Sequence, residues 1–372
     1  MKKETEPHQE AGSTEIQVGE ALIKSGTGEL LTYLRLPDPL KPLVVFLPGA
    51  GHLARVCYGH PGSRRQEFLD YWLSEIGWGL LALSYPCGHS IVHSADPGLS
   101  IAEWAQIVAR LVADQAQHIR SPLIVVGWSM AGRGAAQLAE ALRGLGIELE
   151  CFIPLAASPA LPGLSSISVA QELSSPDGMW DTHGSPAGAF SRHEVWLADL
   201  QAIEASEGRT VIDPGTYRTY YTAGTPPGLM AEPGLCGTGP IPLPSWQDYP
   251  LIAALSPSGP SDVRHALTDR ATWGFINTQA LTRRHVLPMI AAGKSLSEPS
   301  WARLLALFEE LPGRLHRHVP GNHFCFIGAS GALATTKAIA ELQTAAYEVR
   351  TELSDLLRGS TSQIPLRTIQ PG

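Results

Sequence analysis

A serine between small residues is the strongest chemical signal in this sequence. The segment GWSMAG (127–132) follows the apolar run PLIVVGWS (122–129) and precedes a helical pattern, AGRGAAQLAEALRGLG. A serine hydroxyl is a poor nucleophile unless it is held exposed beside a base. Small residues two positions before and after Ser129 let the chain turn sharply from strand to helix, and the helix N-terminus then faces the reacting oxygen. The pattern predicts Ser129 as a nucleophile, although Ala131 stands where glycine is usual.

The base is expected among the 13 histidines. His323, in PGNHF (320–324), follows a short strand pattern, GRLHRHVPG, and precedes the last helical pattern. This place favours it as the group that takes the serine proton. We expect His316 and His318 to be packed or solvent-facing, and His52 to contact substrate from its loop.

The elements that would position these residues alternate along the chain. Continuous apolar runs at 43–49, 80–86, 122–129 and 151–159 are separated by amphipathic helical patterns. Such runs are typical of strands buried on both faces, so the order predicts a parallel sheet with helices on both sides. A further strand is predicted at HVLPMIAAG (285–293), followed by a helix, a short strand and a long last helix.

The alternation stops between residues 160 and 282, which are rich in proline, glycine and serine. We interpret this stretch as an inserted cap. The predicted division is a flexible tail at 1–18, a core at 19–159 and 283–358, the cap at 160–282, and a second tail at 359–372. The aromatic residues of the insertion indicate a large apolar pocket, although they could equally form the core of the cap itself. The residues expected to contact substrate are His52, Trp128, Trp180 and Tyr217.

Four motifs together resemble the α/β-hydrolase fold family, over most of the chain outside the insertion. They are LPGAGH (47–52), SYPCGHS (84–90) with the helical pattern after it, GWSMAG (127–132) and PGNHF (320–324). They are similar to the family's oxyanion loop, the segment after its fourth strand, its nucleophile elbow and its catalytic-histidine loop. The resemblance implies a mostly parallel central sheet flanked by helices, with a large cap insertion.

The resemblance also implies roles for individual residues. Ser129 would be the nucleophile, and His323 would take its proton and return it to the leaving group. The backbone N–H of Met130 would be one oxyanion donor, and the second would come from Ala50 or Gly51.

The triad acid is the weakest part of this pattern. The family usually places it after the strand that precedes the last one, but GKSLSEPSW follows 285–293 here. Glu298 is the nearest carboxylate and is the expected acid, although a carboxylate is favoured at a helix start in any case. Asp262 and Asp269 fall in the expected insertion and are not favoured. A Ser–His dyad without an acid stays open.

Composition narrows the function classes. A net charge of −8 and a pI of about 5.9 argue against a general nucleic-acid binder. The sequence has no phosphate-binding glycine loop in a suitable context and no cysteine or histidine spacing typical of a metal site, so we expect neither cofactor nor metal. The five scattered cysteines are expected to be reduced. No apolar stretch is long enough for a membrane span and no signal peptide is evident, so a cytoplasmic location is expected.

Three functions remain open. The first is hydrolysis of a carboxylic ester, or of a lactone, thioester or amide, of a bulky and largely apolar small molecule through an acyl-enzyme on Ser129. The second is acyl transfer or cleavage of a carbon–carbon bond by the same residues. The third is a binding protein that has the fold without catalysis. A serine at this place argues against dehalogenase or epoxide-hydrolase chemistry, for which the resemblance implies an aspartate nucleophile.

Overall fold

An eight-stranded sheet forms the centre of the molecule in the computed structural model. The strand order is β1-β2-β4-β3-β5-β6-β7-β9, and a separate two-stranded sheet pairs β8 with β10. The structure describes residues 15–26, 28–116, 121–162, 164, 174–183, 191–230, 244–359 and 361–362. The strands are β1 (Glu20–Ser25), β2 (Gly28–Arg35), β3 (Leu43–Leu47), β4 (Gly79–Leu83), β5 (Leu123–Trp128), β6 (Leu149–Leu155), β7 (Ala254–Pro257), β8 (Lys294–Ser295), β9 (His316–Val319) and β10 (Thr361–Ser362).

Most of the large sheet is parallel. Strands β4, β3, β5, β6, β7 and β9 pair in parallel, whereas β2 is antiparallel to both β1 and β4. Every residue of β3, β4 and β5 is buried, as expected for strands that are covered on both faces. The expected α/β class, with a mostly parallel central sheet, is confirmed.

Helices pack on this sheet in two groups. Helix α2 packs against α3, while α9 packs against α1 and α8. The helices are α1 (Leu69–Glu75), α2 (Ile101–Ala116), α3 (Ala135–Gly144), α4 (Arg192–Glu207), α5 (Pro214–Tyr220), α6 (Val263–Leu281), α7 (Leu287–Ala291), α8 (Glu298–Arg314) and α9 (Ala329–Arg358).

The strand expected at 285–293 is wrong. A π-helical turn, Thr282–Val286, leads into the short helix α7, where Leu287 and Ile290 are about half exposed. A short apolar run fits a strand and a helix equally well, and burial decides between them. The strand at this place in the sheet is β7, which is fully buried and lies inside the expected insertion.

The sheet therefore resumes much earlier than expected. Strand β7 pairs with β6 and β9, and α6 packs against β7, so both belong to the core, which resumes at Ala254 instead of residue 283. We call the chain between β6 and β7, residues 156–253, the β6–β7 connection. It contains α4, which starts with a capping box between Ser191 and Glu194, and α5, capped by Asp213. That this connection forms a cap stays a prediction.

The expectations for the two tails, for membrane spans and for the cysteines can be compared with the described residues. Of the expected tails, residues 1–14 and 363–372 lie outside the described residues. Among the described residues, no helix combines the length and apolar character needed to cross a bilayer. Cys236 lies outside the described residues, and the other four cysteines, which are buried and free as expected, are Cys57, Cys87, Cys151 and Cys325.

Candidate active site

Ser129 occupies a strained turn at the end of β5. It is the first residue of a 3-10 helix, Ser129–Gly134, that continues into α3. Its φ is +53°, in the left-handed region that a residue with a side chain seldom adopts. Its side chain is partly exposed. A strand–serine–helix turn of this form is typical of serine nucleophiles.

Small residues around the serine are required by packing. A Cβ on Gly127 would lie 2.6 Å from the ring of Phe152, and one on Gly132 would lie 2.8 Å from the Cβ of Ala157. Ala131 is buried, with 7% of its surface exposed, so the turn accommodates its methyl group. The departure from glycine at this position therefore leaves the turn intact.

His323 lies in the loop after β9 and is oriented by a carboxylate. Its Nδ1 lies 2.7 Å from Oδ2 of Asp262. Because an ionised carboxylate only accepts hydrogen bonds, Nδ1 carries the proton and Nε2 has a free lone pair. The Trp128 indole N–H donates to the His323 carbonyl at 3.0 Å, which ties the histidine loop to the neighbour of Ser129. Within the described part of the chain the Ser129 hydroxyl itself makes no hydrogen bond.

The acid beside His323 is Asp262 and not Glu298. Asp262 closes a 3-10 turn, Pro260–Asp262, between β7 and α6. Glu298 is exposed in the first turn of α8, where the helix dipole favours a carboxylate. The missed signal is the segment PLIAALSPSGPSD (250–262), an apolar run followed by a proline-glycine turn and an aspartate. It lies inside the stretch that the sequence pattern assigns to the insertion.

The local charges favour an ionised acid and a neutral base. Burial raises the pKa of Asp262, but the hydrogen bond and charge of His323, with the charges of His265 and Arg264, outweigh it and hold that pKa below its usual value. Burial lowers the pKa of His323, and the hydrogen bond that its Nδ1 donates to Asp262 compensates only in part. His323 is therefore neutral near pH 7 and can accept a proton.

Two backbone N–H groups remain for an oxyanion. The Gly51 N–H donates to the hydroxyl of Thr225 at 2.6 Å, so it is not free for substrate. No acceptor for the Ala50 N–H is found in the described ranges. A Cβ on Gly49 would lie 2.9 Å from the Cβ of Ser129, so this loop passes directly against the serine. Met130 is the second residue of the 3-10 helix, where an N–H has no acceptor within the helix.

The expected substrate contacts all lie in the interior. His52 and Tyr217 are 0% exposed, Trp128 is 1% exposed and Trp180 is 2% exposed. Both ring nitrogens of His52 have partners, the Ala50 carbonyl at 2.9 Å and the Tyr217 hydroxyl at 2.6 Å. Burial lowers the pKa of His52 to about 3. His52, Tyr217 and Trp128 each make a side-chain hydrogen bond within the protein, and the expected role of the four residues as substrate contacts stays a prediction.

One group of side chains has metal-like spacing. Ligand atoms of Asp262, His265 and His323 lie within 4.8 Å of one another. However, Nη2 of Arg264 lies 2.9 Å from Nε2 of His265 and places a positive charge beside any cation at this position. The arrangement is better suited to a hydrogen-bonded His–Asp pair than to a metal ion.

Two large cavities among the described residues are lined by residues other than Ser129. One of about 760 Å³ lies between the loop of His89 and Arg218, and one of about 1100 Å³ lies between α3 and α9. Beside Met130 there is a small apolar cavity of about 20 Å³, lined in part by Trp104 and Leu229.

Comparisons with known proteins find similarity only in structure. No family model matches the chain, and no curated protein matches it. A thioesterase domain from the curacin biosynthetic pathway is 13% identical with a TM-score of 0.44, over 87% of this chain and 98% of that one. An arylesterase structure is 11% identical with a TM-score of 0.37, over 94% and 86%. A carboxylesterase structure from the thaumarchaeon Nitrososphaera gargenis is 13% identical with a TM-score of 0.42, over 91% and 99%.

Identities and TM-scores this low give no information about activity. The fold is instead established by the chain's own features. The strained turn of Ser129 follows β5, the loop of residues 49–52 follows β3, and the residues occur in the order Ser129, Asp262, His323 along the chain, each at the carboxyl side of a parallel strand. With the mostly parallel eight-stranded sheet and its flanking helices, these features show that the chain has the α/β-hydrolase fold.

Proposed function

We propose that this protein is a serine hydrolase that cleaves a carboxylic ester of a small molecule through an acyl-enzyme on Ser129. The observation that carries the proposal is the hydrogen bond between His323 and Asp262, 2.7 Å long, in a loop tied to the strand end that presents Ser129. A histidine oriented by a partly buried carboxylate is the arrangement that activates a serine hydroxyl.

The reaction would proceed in two halves. Nε2 of His323 takes the proton of Ser129, and Oγ attacks the carbonyl carbon of the ester. The N–H groups of Ala50 and Met130 bind the oxyanion, and His323 then protonates the departing alcohol. A water molecule, deprotonated by His323, then attacks the carbonyl carbon of the acyl-enzyme. The bond to Oγ of Ser129 breaks, the acid is released, and His323 returns the proton to Oγ. The negative charge of Asp262 stabilises the imidazolium formed in each half.

Asp262 also bears on the alternative of a non-catalytic binding protein. That alternative drew support from the absence of an acid after residues 285–293. With Asp262 at hydrogen-bonding distance from His323, this support is lost. Acyl transfer and carbon–carbon cleavage use the same three residues, and no contact in the structure favours either over hydrolysis.

The substrate class is a finer part of the proposal. Thioesters, lactones and amides react by the same steps, and the bulky, apolar character of the substrate is an expectation from the aromatic residues of the β6–β7 connection. A series of p-nitrophenyl esters of increasing acyl length tests it: kcat/KM should rise with length. A maximum at the acetate ester would contradict this expectation and leave the mechanism untouched.

Labelling with a fluorophosphonate tests the mechanism. The wild-type protein should be labelled at Ser129, as located by peptide mass spectrometry, Ser129→Ala should not be labelled, and His323→Ala should be labelled far more slowly. If the folded wild-type protein is neither labelled nor able to hydrolyse any ester of the series, the proposed function is wrong.

A further inference from the structure

The oxyanion loop, residues 49–52, is held by a strand-like segment of the β6–β7 connection. We call this segment, residues 222–225, the arm. The Ala223 N–H donates to the Gly51 carbonyl at 2.9 Å, and His52 forms a β-bridge with Thr222. The Gly51 N–H donates to the Thr225 hydroxyl at 2.6 Å. The arm therefore contacts the loop at the residue that follows the free N–H of Ala50.

A single tyrosine hydroxyl joins both sides of this contact. The Tyr85 hydroxyl lies 3.2 Å from the Gly49 carbonyl, 3.1 Å from the His52 N–H and 3.0 Å from the Thr225 hydroxyl. Since the carbonyl can only accept and the N–H can only donate, the Tyr85 proton points to Gly49 and the Thr225 proton points to Tyr85. Every hydrogen-bonding group at this junction then has a partner.

His52 fixes the same loop from the other side. Its Nδ1 must carry the proton, because the Ala50 carbonyl that lies 2.9 Å away can only accept. Nε2 therefore accepts from the Tyr217 hydroxyl at 2.6 Å. The peptide group between Ala50 and Gly51 is thus held at both ends, its oxygen by His52 and its N–H by Thr225.

The network is dry. His52, Tyr85, Tyr217 and Thr225 each have 0% of their surface exposed. In a buried site, water cannot replace a hydrogen bond that is removed, so the orphaned group must either remain unpaired or move. An oxyanion donor contributes fully only when its N–H is held in the correct place before the reaction.

We propose that Tyr217 and Thr225, which belong to the β6–β7 connection, are positioning residues that set the direction of the Ala50 oxyanion donor, with His52 and Tyr85 as the intermediate groups. This inference rests on the proposed function and goes beyond it, because it makes the connection a part of the transition-state machinery in addition to any role in covering the substrate.

The kinetic test compares kcat with KM. Thr225→Val keeps the shape of the side chain and removes the hydroxyl, and Tyr217→Phe does the same for the phenol. We expect each to lower kcat about 10- to 100-fold with KM changed less than about threefold, since a displaced donor fails mainly in the transition state. Thr225→Ser, which restores the hydroxyl, should recover most of the lost kcat.

A neighbouring pair supplies a matched control. The Tyr221 hydroxyl lies 2.6 Å from Nδ1 of His60, and Tyr221 is as fully buried as Tyr217. Tyr221→Phe therefore removes a tyrosine–histidine hydrogen bond of the same length, to the partly exposed His60, that does not reach the oxyanion loop. It should leave kcat within about twofold of wild type. If it lowers kcat as much as Tyr217→Phe, or if Thr225→Val and Tyr217→Phe leave kcat unchanged, the proposal is overturned.

Amide hydrogen exchange gives a readout that does not need turnover. In Thr225→Val and Tyr217→Phe, peptides that span residues 49–53 should exchange faster than in wild type, and in Tyr221→Phe they should not. Unchanged exchange in the first two variants would overturn the positioning role. A wild-type protein without labelling at Ser129 would instead overturn the proposed function, so the two failures are distinguishable.

Discussion

Asp262 would act on a substrate only through His323. Its carboxylate accepts from Nδ1 of the histidine and so selects the tautomer in which Nε2 is the base. Arg264 and His265 lower its pKa, which keeps it ionised when the imidazolium forms. Asp262 would thus contribute one hydrogen bond, accepted from His323, and one negative charge. Each of these can be removed separately.

Removal of the negative charge of Asp262 is expected to lower kcat severely. Asp262→Asn should lower kcat by about 10⁴-fold, because the amide favours the wrong tautomer of His323 while the geometry is kept. Steady-state kinetics on a p-nitrophenyl ester measures it. Glu298→Gln is the matched control and should retain wild-type kcat, since Glu298 is exposed at the start of α8. A large loss in Glu298→Gln together with an active Asp262→Asn would return the role of the acid to Glu298.

The pH profile follows from the direction of the His323 shift. Burial, His265 and Arg264 lower its pKa, and Asp262 raises it in part, so the value in the folded protein lies below the usual 6.5. The neutral form is the base, so kcat/KM should be level near pH 7 and fall about tenfold per pH unit below that pKa. A profile of kcat/KM against pH measures it. A midpoint above 6.5 in the wild-type protein would contradict the assignment.

At the scale of elements, the oxyanion loop depends on a glycine that has both backbone and space constraints. Gly51 has φ +79°, and a Cβ there would lie 2.5 Å from Trp196 and 2.7 Å from Thr182. Gly62 has a similar φ of +84° with nothing within 4 Å of its Cβ position. A comparison of Gly51 with Gly62 therefore separates the effect of the left-handed backbone from the effect of the space around the Cβ position.

Alanine substitutions at these glycines should therefore differ. Gly62→Ala should lower the free energy of unfolding by about 1 kcal/mol, from the left-handed backbone alone. Gly51→Ala should lower it by about 3 kcal/mol, because overpacking adds to the backbone term, and should also lower kcat. Urea denaturation and kinetics on both variants measure this. Equal losses of stability would show that the space around Gly51 does not matter.

The elements of the core were predictable where their pattern was strong. The continuous apolar runs of β3, β4, β5 and β6 gave the parallel sheet, and the small residues around Ser129 gave the turn. Strand β7 was not predictable in the same way, because it has four residues, ends in proline and follows a long stretch without alternation. The error moved the expected acid to Glu298, since the acid is located by counting from this strand.

The interior contacts of the site were also beyond the sequence. His52 was expected to contact substrate, because a histidine in a loop near the site has the right chemistry for it. The partner of its Nε2 is the hydroxyl of Tyr217, which is 165 positions away along the chain. Pairings at such separation leave no local pattern, so neither the hydrogen bond nor the commitment of the Gly51 N–H to Thr225 could be read from the residues.

For the whole molecule, buried neutral histidines make stability depend on pH. The pKa of His52 is lowered from 6.5 to about 3, so the unfolded chain binds a proton there more readily than the folded one. The stability contribution is complete above 6.5 and is lost as pH falls towards 3.

This dependence can be measured against a variant. Between about pH 7.5 and pH 5, His52 alone should remove about 2 kcal/mol from the free energy of unfolding. Urea denaturation of wild type and of His52→Gln at both pH values should show a loss that is larger in wild type by this amount. The difference isolates His52 from His193 and His316, whose pKa values are also lowered, each to about 4. Equal losses in the two proteins would mean that His52 is not held neutral by burial.

The left-handed backbone of Ser129 affects which substitutions at this position folding would oppose during evolution. Holding a side-chain residue at φ +53° opposes folding by about 1 kcal/mol, and glycine would remove this strain without filling any space. In a protein that made no use of the hydroxyl, mutation towards glycine at this position would meet little resistance from folding. A serine here is thus a residue that the fold tolerates and the proposed reaction requires, so its retention or loss in descendants of this chain would report on whether that reaction is under selection.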